Sequence, residues 1–154
     1  MTSINRASVE KRMDTLSKLE RSARMALVKG RNTGPERVVR SVIRSTGWRY
    51  CAHVQELPGT PDFVLPNART ALFVHGCFWH RHSSTRCKLA RLPKSRLAFW
   101  RTKLDDNAKR DRRTYAALHR RGWSVLVVWE CQLGELDTLT RRLKRLVGDR
   151  RTGK

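Results

Sequence analysis

The stretch ALFVHGCFWHRHSSTRC, Ala71 to Cys87, gathers three histidines, two cysteines and a Phe-Trp pair. Cys77, His82 and Cys87 are spaced C-x4-H-x4-C, and Cys131 follows far downstream. Thiolate and imidazole are the ligands zinc prefers in closed tetrahedral sites. A Cys3His set would draw three ligands from one loop and the fourth from a strand end, pinning an irregular loop to a sheet. The spacing is not that of a standard zinc finger, and there is no CxxC. On spacing alone a second reading stands beside zinc: Cys77 and Cys131 are small buried hydrophobes, as free cysteines often are. Cys51, far from the cluster, takes that reading.

A second chemistry needs a carboxylate. Asp62 is the only acid between Pro58 and Trp100. A magnesium-dependent nuclease sets at least one carboxylate at the scissile phosphate and lets waters complete the octahedron. His75 and His80 remain once His82 is given to zinc. An imidazole beside the attacking water can take its proton near neutral pH. The plainer readings are a Pro-Asp at a strand start and a satisfied core histidine at His75.

These residues must be positioned by the elements around them. Asn32-Thr33-Gly34-Pro35 breaks the chain and starts a helix, with Pro35 and Glu36 in its first turn and Gly47 at its end. Trp48 to Gln55 reads as a strand, Asp62 to Leu65 as a short strand, and Thr70 to His75 as a strongly apolar one. Residues 83–94 read as a loop. Ser95 is expected to cap a long helix to about Arg121, with Leu97, Trp100, Leu104, Ala108, Tyr115 and Leu118 at helical spacing. Trp123 to Trp129 reads as a buried strand and Leu136 to Leu146 as an amphipathic closing helix. The order α-β-β-β-α-β-α predicts a single α/β domain, a mixed central sheet flanked by helices. Residues 1–20 read as a basic arm and 21–148 as the folded domain.

The whole chain points to a polyanion. Its 154 residues carry 34 Lys+Arg against 13 Asp+Glu, a formal charge of +21. Such a surplus attracts nucleic acid first and a membrane surface second. No stretch approaches the roughly 20 apolar residues that span a bilayer. The polar N-terminus carries no recognisable secretory signal, so a reducing compartment is expected, where metal ligation is favoured over disulfides.

PGTPDFV, then FVHGCFWHRH, then a further Cys, then FW, then GWSVLVVWEC, in this order, resemble the very short patch repair (Vsr) endonucleases. The resemblance runs from about Arg21 to about Leu133. It implies a strand-specific DNA endonuclease that nicks duplex DNA at T·G mismatches left by 5-methylcytosine deamination. It implies a restriction-endonuclease-like fold of the PD-(D/E)xK superfamily with a structural zinc, acting as a monomer in the bacterial cytoplasm at the nucleoid. By position, Asp62 matches the family's magnesium-binding aspartate, with the Val74 backbone carbonyl as a further contact. His80 matches the general base, His75 the second active-site histidine, and Glu36 a glutamate that orients metal-bound water. Cys77, His82, Cys87 and Cys131 match the zinc ligands. Phe78, Trp79 and Trp100 match aromatics that wedge into DNA beside the mismatch. Val74 stands where the family has Thr, Arg81 where it often has His, and the segment from His82 to Cys87 is longer than expected. The alternatives are a restriction or modification-dependent nuclease of the same fold, or a zinc-stabilised DNA-binding module. Docking of a mismatch-repair protein is left open.

Overall fold

The most apolar run of the sequence becomes the spine of the fold. In the computed structural model, which describes Ser17, Leu19, Glu20 and residues 30–148, this run is strand β3, Thr70–His75. The elements before it are helix α1 (Gly34–Ser45) and strands β1 (Cys51–Ala52) and β2 (Phe63–Leu65). After it come helix α2 (Leu97–Arg120), strand β4 (Ser124–Trp129) and helix α3 (Leu136–Gly148). The four strands lie in the order β1-β2-β3-β4. The first two pairings are antiparallel, and β3 pairs parallel with β4, so α2 is the crossover of a β-α-β unit. The sheet is mixed and helices flank it, as the element order predicts.

Strand alternation decides which helix covers which face. Leu72 of β3 and Leu126 and Val128 of β4 pack with Val39, Val42 and Ile43 of α1 and Leu139 and Leu143 of α3. Ala71 and Phe73 point the other way and meet Leu118 of α2. His75 continues the Ala71-Phe73 parity, so its side chain belongs to the face covered by α2. That is the link from sequence period to site.

Several local expectations are corrected. Trp48 to Gln55 yields just the two-residue strand Cys51–Ala52, both exposed at the sheet edge. His53 takes φ 51°, and Leu57 N–H closes a turn on the Val54 carbonyl, so the chain leaves the sheet. Trp48 and Tyr50 pack against the core from this segment instead of extending the ladder. Cys51 is therefore exposed and not a buried hydrophobe. Ser95 does not cap α2: the N-cap is Arg96 at φ 52°, without a side-chain cap. Pro66-Asn67 closes as a short 3-10 turn, Pro66–Ala68.

Gly59 is required twice over. Its φ is +73°, and a Cβ there would run into Thr114 of α2. The Pro58–Pro61 turn thus lies against α2 and brings Asp62 to the start of β2 on that helix's flank. Most of the expected basic arm, residues 1–20, lies outside the described residues. Within it, Ser17 N–H donates to the Glu20 carboxylate at 2.7 Å, and Glu20 N–H donates to the Ser17 hydroxyl at 3.2 Å. Among the described residues no helix is long and apolar enough to cross a membrane.

Candidate active site and metal centre

The C-terminal end of β3 carries the densest chemistry. His75 is 4% exposed. Its ring stacks on that of His80, centroids 3.6 Å apart and planes 12° from parallel. A turn closed by His80 N–H on the Gly76 carbonyl folds His80 back over His75. His80 Nδ1 lies 2.7 Å from Asp111 Oδ2 on α2. The Tyr115 hydroxyl sits 3.3 Å from His75 Nε2, and Asn107 Nδ2 donates to the Trp79 carbonyl at 3.0 Å. Asn107, Asp111 and Tyr115 fall at i, i+4 and i+8, one stripe of α2 facing the strand end.

Protonation follows from these surroundings. Burial, with His80 next to it, pushes the His75 imidazole down to about 3. Asp111 feels burial pushing it up, but the hydrogen bond and charge of His80 outweigh this and hold it below the usual carboxylate range. Asp62 accepts the Val74 N–H on Oδ2 at 2.7 Å. Burial, with Glu36 nearby adding to it and the Val74 bond opposing, pushes the Asp62 carboxyl up to about 6.

Glu36 is buried at the N-terminus of α1. Its N–H donates to the N-cap Thr33 hydroxyl at 3.3 Å, and that hydroxyl donates to Oε1 at 3.0 Å. Asn32 N–H donates to Oε2 at 2.8 Å. Glu36, His53 and Asp62 each bring one ligand atom within 4.8 Å of the others.

Cys77, His82, Cys87 and Cys131 likewise bring one ligand atom each within 4.8 Å of one another. Cys131 N–H donates to Cys77 Sγ at 3.4 Å, and Cys131 Sγ lies 3.4 Å from His82 Nδ1. The register puts Trp129 opposite His75 across the parallel pair. The Trp129 ring stacks on His82 at 4.3 Å and meets His75 edge-on at 5.3 Å. One indole therefore touches both clusters.

Phe78, Trp79 and Trp100 form a third group, all half-buried. Phe78 lies 5.1 Å from Trp79 and 5.3 Å from Trp100, and Trp79 lies 6.0 Å from Trp100, all edge-to-face. None of the three belongs to the buried core. Phe99, 45% exposed, extends the group 5.3 Å from Trp100.

Sequence reasoning did not reach Asp111, Asn107, His53 or Trp129 as site residues. Asp111 was signalled weakly, as the lone acid in KRDRR with Tyr115 one turn on. Nothing in the sequence marked His53, because its placement depends on a turn.

A nuclease is the class of protein that a carboxylate, a histidine pair and an aromatic group on a strongly basic chain describe. The family model for the DNA mismatch endonuclease Vsr matches residues 13–86. The chain is 48% identical over 134 residues to the type II nicking enzyme V.XorIIP of Xanthomonas oryzae pv. oryzae, covering 87% of this chain and 96% of that one. It is 39% identical over 127 residues to the DNA mismatch endonuclease Vsr of Escherichia coli, covering 82% and 80%. It is 37% identical over 134 residues to the type II nicking enzyme V.NmeAIP of Neisseria meningitidis, covering 87% and 94%. The chain belongs to the Vsr DNA mismatch endonuclease family.

Proposed function

We propose that this chain nicks one strand of duplex DNA at T·G mismatches arising from 5-methylcytosine deamination, by cation-dependent phosphodiester hydrolysis. The observation that carries the chemistry is the His75–His80 stack clamped by Asp111 beside Asp62. His80 is the general base. With Nδ1 held by Asp111, its Nε2 is the nitrogen left to take a proton from water. Asp111 is a positioning residue: it fixes the ring's orientation and steadies the imidazolium that forms. His75, uncharged at neutral pH, lies under that ring and adds no like charge to it. In-line attack by the water leaves a 5′-phosphate and a 3′-hydroxyl.

Asp62 and the Val74 carbonyl would hold the magnesium, with Glu36 orienting its waters. The donor set fits: hard oxygen donors stand beside a carboxyl whose burial leaves its charge in want of a counter-cation. When bound, the ion polarises the phosphoryl oxygen and stabilises the leaving oxyanion. Cys77, His82, Cys87 and Cys131 would hold a structural zinc. Four donors within 4.8 Å fit a tetrahedral ion, whose ligands at about 2.3 Å stand roughly 3.8 Å apart.

Phe78, Trp79 and Trp100 would stack beside the mismatched step. Unstacking costs a few kcal/mol, less at a mismatch, so the cost itself discriminates. The fold reads as restriction-endonuclease-like, with residues 21–148 as the nuclease domain and 1–20 as a basic N-terminal arm. A monomer in the cytoplasm, on DNA, is the expected working state.

The deciding experiment compares nicking of T·G and matched duplexes with magnesium. Wild-type protein should nick the T·G duplex preferentially, and Asp62→Ala should abolish nicking with DNA affinity largely kept. His80→Ala should lose about 10² to 10⁴ in rate. Equal cutting of both duplexes would move the function to a restriction-type nuclease, and binding without cutting would reduce it to a DNA-binding module.

A further inference from the structure

Glu36 and Asp62 share a cluster with His53, which the proposed chemistry leaves without a role. Both carboxylates are immobilised. Glu36 is held by Asn32 N–H and the Thr33 hydroxyl, and Asp62 by Val74 N–H. His53 is placed by the β1–β2 ladder running one residue past its last pair, with His53 N–H donating to the Asp62 carbonyl at 3.1 Å. Its Nε2 is buried and has no hydrogen-bond partner. That nitrogen lies 3.5 Å from Glu36 Oε2, without the geometry of a hydrogen bond. A buried imidazole nitrogen left unsatisfied needs an explanation, and a bound ion is one of the few. Adjacent ligands of an octahedral cation with bonds of about 2.1 Å stand roughly 3 Å apart; His53 Nε2 lies 3.5 Å from Glu36 Oε2, and all three ligand atoms lie within 4.8 Å of one another.

We propose that His53 is a further ligand of the divalent cation held by Asp62, with Glu36 beside it orienting bound water, and that its nitrogen turns the site's preference from Mg2+ toward imidazole-accepting cations such as Co2+. Oxygen donors alone suit Mg2+, whereas imidazole nitrogen favours the later first-row metals. The inference rests on the reading of Asp62 as a cation ligand but not on nuclease activity.

The test uses zinc-loaded, DNA-free protein titrated with Co2+ and Mg2+ by calorimetry. His53→Gln should weaken Co2+ binding at least about tenfold and change Mg2+ binding less than about threefold. Proton NMR of the Co2+ form should show a hyperfine-shifted imidazole N–H signal that His53→Gln removes. If His53→Gln fails to fold, the same signal is sought in the His75→Gln/His80→Gln protein, where among the described residues His53 is the imidazole left beside Asp62. Its presence there supports the proposal and its absence overturns it. Unchanged Co2+ affinity in His53→Gln, with Asp62→Ala still impaired, overturns the proposal alone. Co2+ binding indifferent to Asp62→Ala would overturn the reading of Asp62 beneath it.

Discussion

The His75 ring lies face to face with His80, and its proton affinity follows from that burial. An unfolded histidine titrates near 6.5, whereas folded His75 holds out to about 3. The unfolded chain therefore binds a proton that the native state refuses. This contribution to stability is complete above about pH 6.5 and drains away as pH falls toward 3. Asp62 runs the other way. Raised to about 6, it favours the fold below an ordinary aspartate value near 4 and loses that advantage as pH rises through 6. Urea unfolding between pH 3 and 7 should show His75→Gln flattening the acid-side loss and Asp62→Asn steepening it. Coincident curves for wild type and His75→Gln would contradict the burial of a neutral ring. At this scale the residue types in HGCFWHRH were legible, because ligand chemistry is local. Asp111 was not, since its role depends on which side of a 24-residue helix meets the strand end.

At the scale of elements, the segment after β3 is held from two sides: its own turns, and Cys131 at the exit of β4. If the four donors hold zinc, Cys131→Ser should release it. At a metal concentration near a thousand times the dissociation constant the loss is about 4 kcal/mol, roughly 10 °C in melting temperature for a chain of this length. Elemental analysis and thermal melts check this, and a zinc-free protein melting at the wild-type temperature would remove the structural metal. The aromatic group makes a separate prediction. Trp79→Ala should weaken binding to a T·G duplex by roughly 5- to 150-fold, from about 1–3 kcal/mol of lost stacking, and affect a matched duplex much less. Equal losses on both, in equilibrium binding, would assign Trp79 to packing. Long elements were legible because apolar period survives over many residues, as in β3, β4 and α2. β1 was not: an edge strand ends where a tertiary turn takes the chain away, and Trp48 to Gln55 is apolar enough to mimic a full strand. The Arg96 helix start was hidden for the same reason, a local αL residue standing in for the expected Ser95 cap.

Across the whole molecule, charge governs the encounter. A surplus of +21 implies that binding releases many counterions. Contact with about 6–10 phosphates gives a slope of log affinity against log salt between roughly −5 and −9. A slope shallower than about −2 would detach the charge from DNA. The α-β-β-β-α-β-α order and the mixed sheet were readable because each element buries a face of its own. What the order could not reveal was the joint at Trp129, where one indole leans on His75 and on His82. That joint makes the strand end a ruler. Between His75 and His82 the chain serves three groups in turn, with His75 and His80 in the ring stack, Cys77 and His82 in the thiolate-imidazole cluster and Phe78 and Trp79 in the aromatic group, so one inserted or deleted residue would put every later side chain out of phase. Ser83 to Arg86 is exposed and closed by a turn from Cys87 N–H to the Ser84 carbonyl, so its length is free. Over evolutionary divergence, insertions should therefore collect between His82 and Cys87 and be purged between His75 and His82.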